Sequence, residues 1–282
     1  MEADMITLRP DYYDSFKCIA DKCRHTCCAG WEIDIDEDSM ALYRERPDIM
    51  CHIKDSSFIL QGRDERCPFL LDNGLCKLIL DYGEDILCDV CTEHPRFYNY
   101  QDDIEYIGLG LCCEAALDLI IDREDKFRLV KGIVSDEGEV LGSDPYDKIP
   151  FGIDEVNDFE GKISDLLADL SPEARNCTER AGFYLTLEFL DPEWPEMLKA
   201  LSAEPVTADK RNAYIDGCPK EFRNLITYFL YRHMGDRKIA SESVRLIAEI
   251  AVSQGLPLKE VARIYAVEIE YSDVNTDILA DM

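Results

Sequence analysis

The sequence predicts a mainly α protein with a small β-hairpin. A cysteine-rich, loop-heavy, metal-binding N-terminal part is expected to pack on a helical C-terminal part. Three observations carry this. Eleven of the 13 cysteines fall at or before Cys113. Beyond about residue 158 the apolar residues recur at helical spacing. Between these regions, 135–158 is rich in Gly, Pro, Asp and Ser, the composition of a loop. The expected division is a cysteine-rich metal or iron–sulfur module over 1–125, a linker or surface loop over 126–157, and a helical domain over 158–282.

The elements follow in order. Residues 7–17 read as extended chain. Glu32-Ile33-Asp34-Ile35-Asp36 alternates polar and apolar, suiting a short strand. Asp36 or Asp38 can cap a helix that runs to about Arg46 and stops at Pro47. Phe58 to Gln61 is a second short strand, and Asp72-Asn73-Gly74 a tight turn. Short helices are expected over 75–81 and 84–92, the second ended ahead of Pro95. Phe97 to Tyr100 and Ile104 to Ile107 are β-prone and flank Gln101-Asp102-Asp103, a hairpin pattern. A helix is expected over 114–122. The C-terminal periods give helices over 158–170, 173–190, 193–202, 219–234, 240–254 and 257–271.

Charge and composition exclude several classes. The net charge of −29 repels a phosphate backbone, so nucleic acid is not an expected partner. That charge favours a cationic partner, such as a lysine-bearing protein, or serves only solubility. No run approaches the ~18 apolar residues of a membrane span. Met1-Glu2-Ala3-Asp4-Met5 has neither the basic nor the apolar region of a leader. A reducing cytoplasm is therefore expected, where thiols rarely persist as disulfides. The odd number of cysteines also argues against a closed disulfide set.

The cysteines are thus expected to bind metal. They run Cys18-x4-Cys23-x3-Cys27-Cys28, then Cys51, Cys67-x8-Cys76, Cys88-x2-Cys91 and Cys112-Cys113. Thiolates suit zinc and iron–sulfur clusters, and either site takes four of them. The clustered cysteines exceed one mononuclear site. Neighbouring side chains are expected to diverge, so Cys27 and Cys28 should not both serve one ion. His25 and His94 could each replace a thiolate or be ordinary loop residues.

Taken together, Cys18-x4-Cys23-x3-Cys27-Cys28-Ala-Gly-Trp31, Cys67-Pro-Phe-Leu70 with Gly74-Leu-Cys76, Leu87-Cys88-x2-Cys91-x2-His94-Pro95-Arg96 and Leu111-Cys112-Cys113-Glu114 resemble the flagellin lysine-N-methylase family. Tyr228-Phe-Leu-Tyr-Arg232-His233 and Glu268-Ile-Glu270-Tyr271-Ser272-Asp273-Val-Asn275 are also similar to it. The resemblance implies transfer of a methyl group from S-adenosylmethionine to lysine ε-amines of flagellin or a similar surface protein. It also implies a cysteine-rich module that chelates zinc or holds an iron–sulfur cluster. It singles out Cys18, Cys23, Cys27, Cys28, Cys67, Cys76, Cys88, Cys91 and Cys112 as ligands. The family carries a proline where Cys113 stands, which ranks Cys112 above its neighbour, and Cys51 becomes a bystander.

Two other readings stay open: a non-catalytic zinc or iron–sulfur protein, and a radical enzyme acting on another peptide. No Gly-x-Gly-x-x-Gly follows a strand, so an ordinary nucleotide-binding sheet is not expected.

Lysine methylation needs a neutral amine, hence a base in a dry pocket. Glu268 borders the apolar face of the last helix, where burial raises a carboxyl pKa; it could instead pair with Arg263 or Arg232. Tyr271 joins it as a catalytic candidate, and Asn275 could position cofactor or substrate. Arg96 could fork onto the carboxylate of S-adenosylmethionine. Trp31 could stack on its sulfonium or on lysine. His233 reads as a core histidine.

Overall fold

The computed structural model describes residues 6–134, 140–172 and 174–281. The chain divides into two compact units. One comprises Lys17–Arg96 and Cys113–Ala115; the other comprises Met1–Phe16, Phe97–Cys112 and Ala116–Met282.

In the cysteine-rich unit, Asp36 caps the Glu37–Arg44 helix, its Oδ1 accepting from Ser39 N at 2.8 Å. The other oxygen accepts from Asp89 N, at the head of the Asp89–Glu93 helix, at 3.0 Å. Two short strands, Ile53–Lys54 and Ser57–Phe58, turn through Asp55 and Ser56, both at positive φ. Tyr43, Ile49, Phe58, Phe69, Leu78 and Ile86 form a small core together with the buried Cys67 and Cys88. The Tyr43 hydroxyl, buried in it, donates to Ile86 O at 2.7 Å. Helices Lys77–Tyr82 and Asp89–Glu93 match the two expected short helices.

The other unit holds a five-stranded sheet. Its order is Arg96–Gln101, Ile104–Leu109, Ile6–Pro10, Leu129–Val134, Val140–Tyr146. Ile6–Pro10 pairs parallel with Ile104–Leu109 and antiparallel with Leu129–Val134. The expected hairpin is present, with Asp102 and Asp103 at φ 51° and 61° in its turn, as a tight hairpin requires. The rest of the sheet was not expected. The segment assigned to a linker carries the Leu129–Val134 strand and, among its described residues, Val140–Tyr146. Its signal is broken by Gly132 and by a register shift between Lys131 and Ile133, so no period of two survives.

Helices cover the remainder. Ile163–Leu170, Glu193–Ala203, Pro219–Arg232 and Arg237–Gln254 fall where the periodicity puts them. The helix expected over 173–190 is shorter, Cys177–Tyr184. Ala208–Gly217 was missed, since Ile215 is its one buried residue. The Tyr231 hydroxyl seats the Pro219–Arg232 helix on the sheet, donating to Leu8 O at 2.9 Å and Ile107 O at 3.1 Å. Nearly the whole circumference of Arg237–Gln254 is buried, including Glu242 and Glu249. Arg180, itself fully buried, donates to Glu249 at 2.7 Å and Glu242 at 3.2 Å. Among the described residues, no helix is long and apolar enough to cross a membrane.

The last expected helix does not run through. Leu258–Tyr265 is α-helical, Ala266–Glu270 widens into a π turn, and Asp273–Ala280 restarts as α. In an α-helix, positions 268 and 270 would point about 200° apart. The wider turn buries both Glu268 and Glu270, an insertion often found at functional sites.

Candidate functional site

The cysteine-rich unit gathers thiols in two neighbourhoods. The first is drawn together by Glu114. Its Oε1 accepts from Arg24 N at 2.9 Å, His25 N at 2.8 Å and His25 Nδ1 at 2.6 Å. These bonds hold Cys113, the residue before Glu114, to the loop carrying Cys23. Cys23 Sγ donates to His25 O at 3.3 Å. Burial opposes ionisation of Glu114, but the bonds and charge of His25 and the charge of Arg24 outweigh it and hold its carboxyl below the usual range. Cys18 accepts from Ala20 N at 3.4 Å. Thiolates at Cys18 and Cys113 both raise the pKa of Cys23 and of Cys27, which places these four side chains within electrostatic reach of one another.

The second neighbourhood lies in the small core. Cys67 and Cys88 are buried there, with Cys28, Cys76 and Cys91 packed against it. Cys67 N donates to Cys28 O at 2.8 Å. Cys76 and Cys88 each precede the first turn of a helix, and Cys91 N donates to Cys88 O at 3.0 Å. Burial pushes the Cys67 thiol up to about 12. The Cys88 and Cys91 thiols share a hydrogen bond, which lowers the first.

Cys27 and Cys28 link the two neighbourhoods. They were expected to diverge, yet their thiols share a hydrogen bond that draws Cys28 down to about 7. A local turn brings neighbouring side chains to one side, which sequence spacing does not reveal. All 13 cysteines are thiols. Among the described residues, however, no three His, Cys, Asp or Glu side chains converge as a finished metal-ligand set. Thiolate is a donor type that zinc and iron accept, but these thiols are not brought together as a ligand set.

Trp31 lies beside the first neighbourhood. Its Nε1 donates to Cys27 O at 2.7 Å, and its ring lies 6.1 Å from that of His94. Burial lowers the His94 pKa to about 4. Arg96 donates to Thr92 O at 2.9 Å. Cys51 is exposed and bonded to Asp48 O, apart from both neighbourhoods.

The other unit brings the two C-terminal motifs together. Tyr228, Arg232 and His233 come from the end of the Pro219–Arg232 helix, Glu270 and Tyr271 from the π turn. The Tyr228 hydroxyl donates to Glu270 Oε2 at 2.7 Å. Arg232 Nε lies 3.8 Å and His233 Nε2 3.4 Å from Glu270 Oε1. Neither Glu270 Oε1 nor His233 Nε2 makes a hydrogen bond among the described residues. Arg232 stacks over Phe97 at 4.3 Å, and Phe97 covers Gly108, where a Cβ would lie 2.1 Å from its Cζ. Cys112 Sγ donates to the Tyr271 hydroxyl at 3.0 Å. Burial, then a thiolate at Cys112, raises the Tyr271 pKa.

Glu268 is buried, and among the described residues no arginine pairs with it. Its carboxylate accepts from Leu190 N at 2.8 Å and Asp191 N at 3.1 Å. Burial raises its pKa despite these bonds. Arg232 faces Glu270 instead, and Arg263 pairs with Glu260 at 2.9 Å. The Asn275 amide bonds Glu188 N, Glu188 O and Glu268 O, so it fixes the 188–191 loop. Glu188, Phe189, Leu190, Glu268, Ser272 and Asn275 line an open cavity of about 340 Å³. Phe189 and Leu190 are more than half exposed.

Glu268, Glu270, Tyr271 and Asn275 stand out in the sequence as a motif, but the pairing of Glu270 with Tyr228 does not. Both stand in the quoted motifs, yet nothing local shows that they meet. Arg96 and Trp31 lie in one unit and Asn275 in the other, so the three residues expected to bind cofactor do not gather within either.

Proteins similar to this chain are named as lysine-N-methylases and as a flagellar biosynthetic protein. Over 141 residues, 45% of the chain, it is 23% identical to the lysine-N-methylases of Salmonella typhimurium and Salmonella choleraesuis, with 35% of each covered. The same identity and span relate it to the flagellar biosynthetic protein FliU of Salmonella muenchen, 83% of which is covered. The match thus spans about a third of the two lysine-N-methylases. No family model matches the chain, and no solved structure does.

Proposed function

We propose that the protein is a lysine-N-methylase acting in the cytoplasm on flagellin or a similar surface protein, with S-adenosylmethionine as methyl donor and a thiolate-bound metal or iron–sulfur cluster as resident group. The similarity to the two Salmonella lysine-N-methylases carries this reading. The net charge of −29 supports it, because it attracts a lysine-rich partner.

The cavity beside the π turn suits a lysine side chain. Phe189 and Leu190 offer apolar walls for its methylene stem. Glu188 and Glu268 offer carboxylates for its ammonium. Each Glu268 oxygen bonded to the 190–191 amides keeps a further lone pair. Its raised pKa suits removal of the ammonium proton, which exposes the lone pair that a methyl acceptor needs. Tyr271 borders the next turn, its hydroxyl oriented by Cys112. Asn275 is a positioning residue, holding Glu188 and the π turn in register.

S-adenosylmethionine, when bound, supplies an electrophilic methyl group. Arg96 and Trp31 would meet its carboxylate and sulfonium. Within the cysteine-rich unit, Cys18, Cys23, Cys27, Cys28, Cys67, Cys76, Cys88 and Cys91 are the residues that would hold a metal, which would supply a Lewis-acidic centre there.

The test is incubation of anaerobically purified protein with methyl-labelled S-adenosylmethionine and recombinant flagellin, followed by peptide mass spectrometry. Label on lysine upholds the reading. The thiol array alone favours a second reading, a non-catalytic metal-binding protein, which metal content without any binding of S-adenosylmethionine in calorimetry would select.

A further inference from the structure

We infer that the outer face of the Asp273–Ala280 helix and the 188–191 loop form one docking surface, and that its occupant is a segment of a partner protein in which apolar side chains flank a lysine. The inference deepens the reading of the neighbouring cavity as a lysine site and rests on it, but not on methyl transfer.

The apolar part of the surface is concentrated. Among the described residues beyond Tyr100, the large apolar side chains left exposed are Phe189, Leu190, Tyr271, Val274 and Ile278. All stand on these two segments or just ahead of the helix. This is not the scatter of single residues that an ordinary surface shows. Val274 and Ile278 are one helical turn apart and share one side of the helix. Asn275 and Leu279, buried, anchor the other side. The loop is fastened to this helix and to the π turn. The Asn275 amide bonds both Glu188 N and Glu188 O, and Ser272 donates to the Glu188 carboxylate at 3.3 Å. The amides of Leu190 and Asp191 are taken by Glu268. With its backbone committed, the loop presents Phe189 and Leu190 in a set position, and a partner need not order them on binding.

The charge around these side chains has one sign. Residues 181–198 and 264–282 contain no Lys, Arg or His. Glu188, Asp191, Glu193, Asp273, Asp277 and Asp281 are exposed, and among the described residues none of the six is in an ion pair. Uncompensated carboxylates beside exposed apolar side chains complement a partner that is both cationic and apolar. The same charge argues against other occupants. A second copy of this chain would bring acid to acid, and an anionic membrane surface would repel the face. Phe189 and Leu190 line the cavity, and Val274 stands between the lining residues Ser272 and Asn275. A lysine in the cavity therefore brings its chain neighbours over these apolar side chains. The surface selects a lysine by the residues beside it, which carboxylates alone do not.

The experiment measures binding of the full chain to labelled synthetic peptides by fluorescence anisotropy. The first peptide carries a central lysine with leucine one helical turn to either side. The second has serine in place of the leucines, and the third keeps the leucines but has glutamine in place of the lysine. The first should bind, and the second about tenfold more weakly, since its apolar contacts are gone. The third should also bind more weakly and lose the salt dependence of the first. Val274→Ser with Ile278→Ser should weaken binding of the first peptide about tenfold. Both side chains are exposed, so far-UV circular dichroism should be unchanged. Should that variant fail to fold, the three peptides on the intact chain decide the matter alone. No binding of the first peptide, equal affinity for the first and either other, or unchanged affinity in the folded double variant would overturn the inference. So would a dimer in sedimentation velocity that the double variant dissolves. Methyl transfer separates this inference from the activity. Label on the first and second peptides at equal KM upholds the methylase and overturns the surface. Preferred binding of the first with no label on either upholds the surface and overturns the methylase.

Discussion

The hydroxyl of Tyr228 donates a 2.7 Å hydrogen bond to Glu270 Oε2 across 42 residues of chain. It joins the end of one helix to the π turn of another, and both groups are buried. With Arg232 and His233 on the other carboxylate oxygen, this is the charged centre of the C-terminal motifs. Tyr228→Phe removes a donor from a buried carboxylate. A hydrogen bond to a charged group contributes about 1.5–3 kcal/mol, so the variant should lose that much in urea unfolding. A loss below 0.5 kcal/mol, roughly the floor for a hydrogen bond, would show that the pair contributes little.

Glu268 gives a pH dependence of stability. Its pKa in the folded chain is raised above the ordinary 4.5 by burial, against the pull of the 190–191 amides. A raised pKa means the folded chain holds this proton more tightly than the unfolded chain. Stability from the group is full below the unfolded value and is lost as pH rises through the folded value. Thermal midpoints of the intact protein and of Glu268→Gln, followed from about pH 4 to about pH 8, should show this step in the first only. Parallel curves would remove Glu268 as its source.

If Glu268 takes the lysine proton, the same substitution should abolish methyl transfer while metal content stays unchanged. Phe189→Asp tests the cavity wall separately. Phe189 is 53% exposed, so the fold should tolerate the change, while KM for a lysine-bearing substrate should shift.

Arg180 pairs with two fully buried carboxylates, Glu242 and Glu249, which also face Arg175 at 3.7 Å and Arg211 at 2.9 Å respectively. Arg180→Met leaves charge behind in the core. Breaking a buried pair costs about 3–5 kcal/mol, and a thermal scan should register that loss. Replacing all three residues with apolar ones should recover only part of it, because Arg211 and Arg175 then lose the carboxylates they pair with.

Gly108→Ala tests the packing that seats Arg232. The added Cβ would lie 2.1 Å from Phe97 Cζ, so the ring must move and carry the guanidinium with it. Overpacking of this kind costs about 1–3 kcal/mol, and chemical denaturation would measure it. An unchanged midpoint would mean the ring has room to give way.

Several elements were readable in the sequence because their causes are local. Asp36 caps its helix, Asp102-Asp103 turns its hairpin, and the apolar stripe Phe222, Leu225, Ile226 and Phe229 is buried as its spacing requires. The cysteine spacing likewise marked a stretch of dense thiols. The five-stranded sheet was not readable. Its central strand Ile6–Pro10 pairs with partners about 100 residues on, and a five-residue strand says nothing of its neighbours. The π turn escaped as well, because the apolar period of Val261, Ala262, Tyr265 and Ile269 runs straight through it.

By itself, the sequence determined that the protein is mainly helical, strongly acidic and dense in thiols near its N-terminus. Composition and periodicity are properties of residues and of near neighbours, and they survive without a fold. Only the tertiary structure decided that Glu270 faces Tyr228, that Glu268 is held by the 190–191 amides, and that Cys112 turns to Tyr271 while Cys113 stays with Glu114. The physical reason is that a side chain's partner is set by which distant segments pack against it. One wide turn in a helix is enough to decide which carboxylate meets Tyr228 and which meets the 190–191 amides.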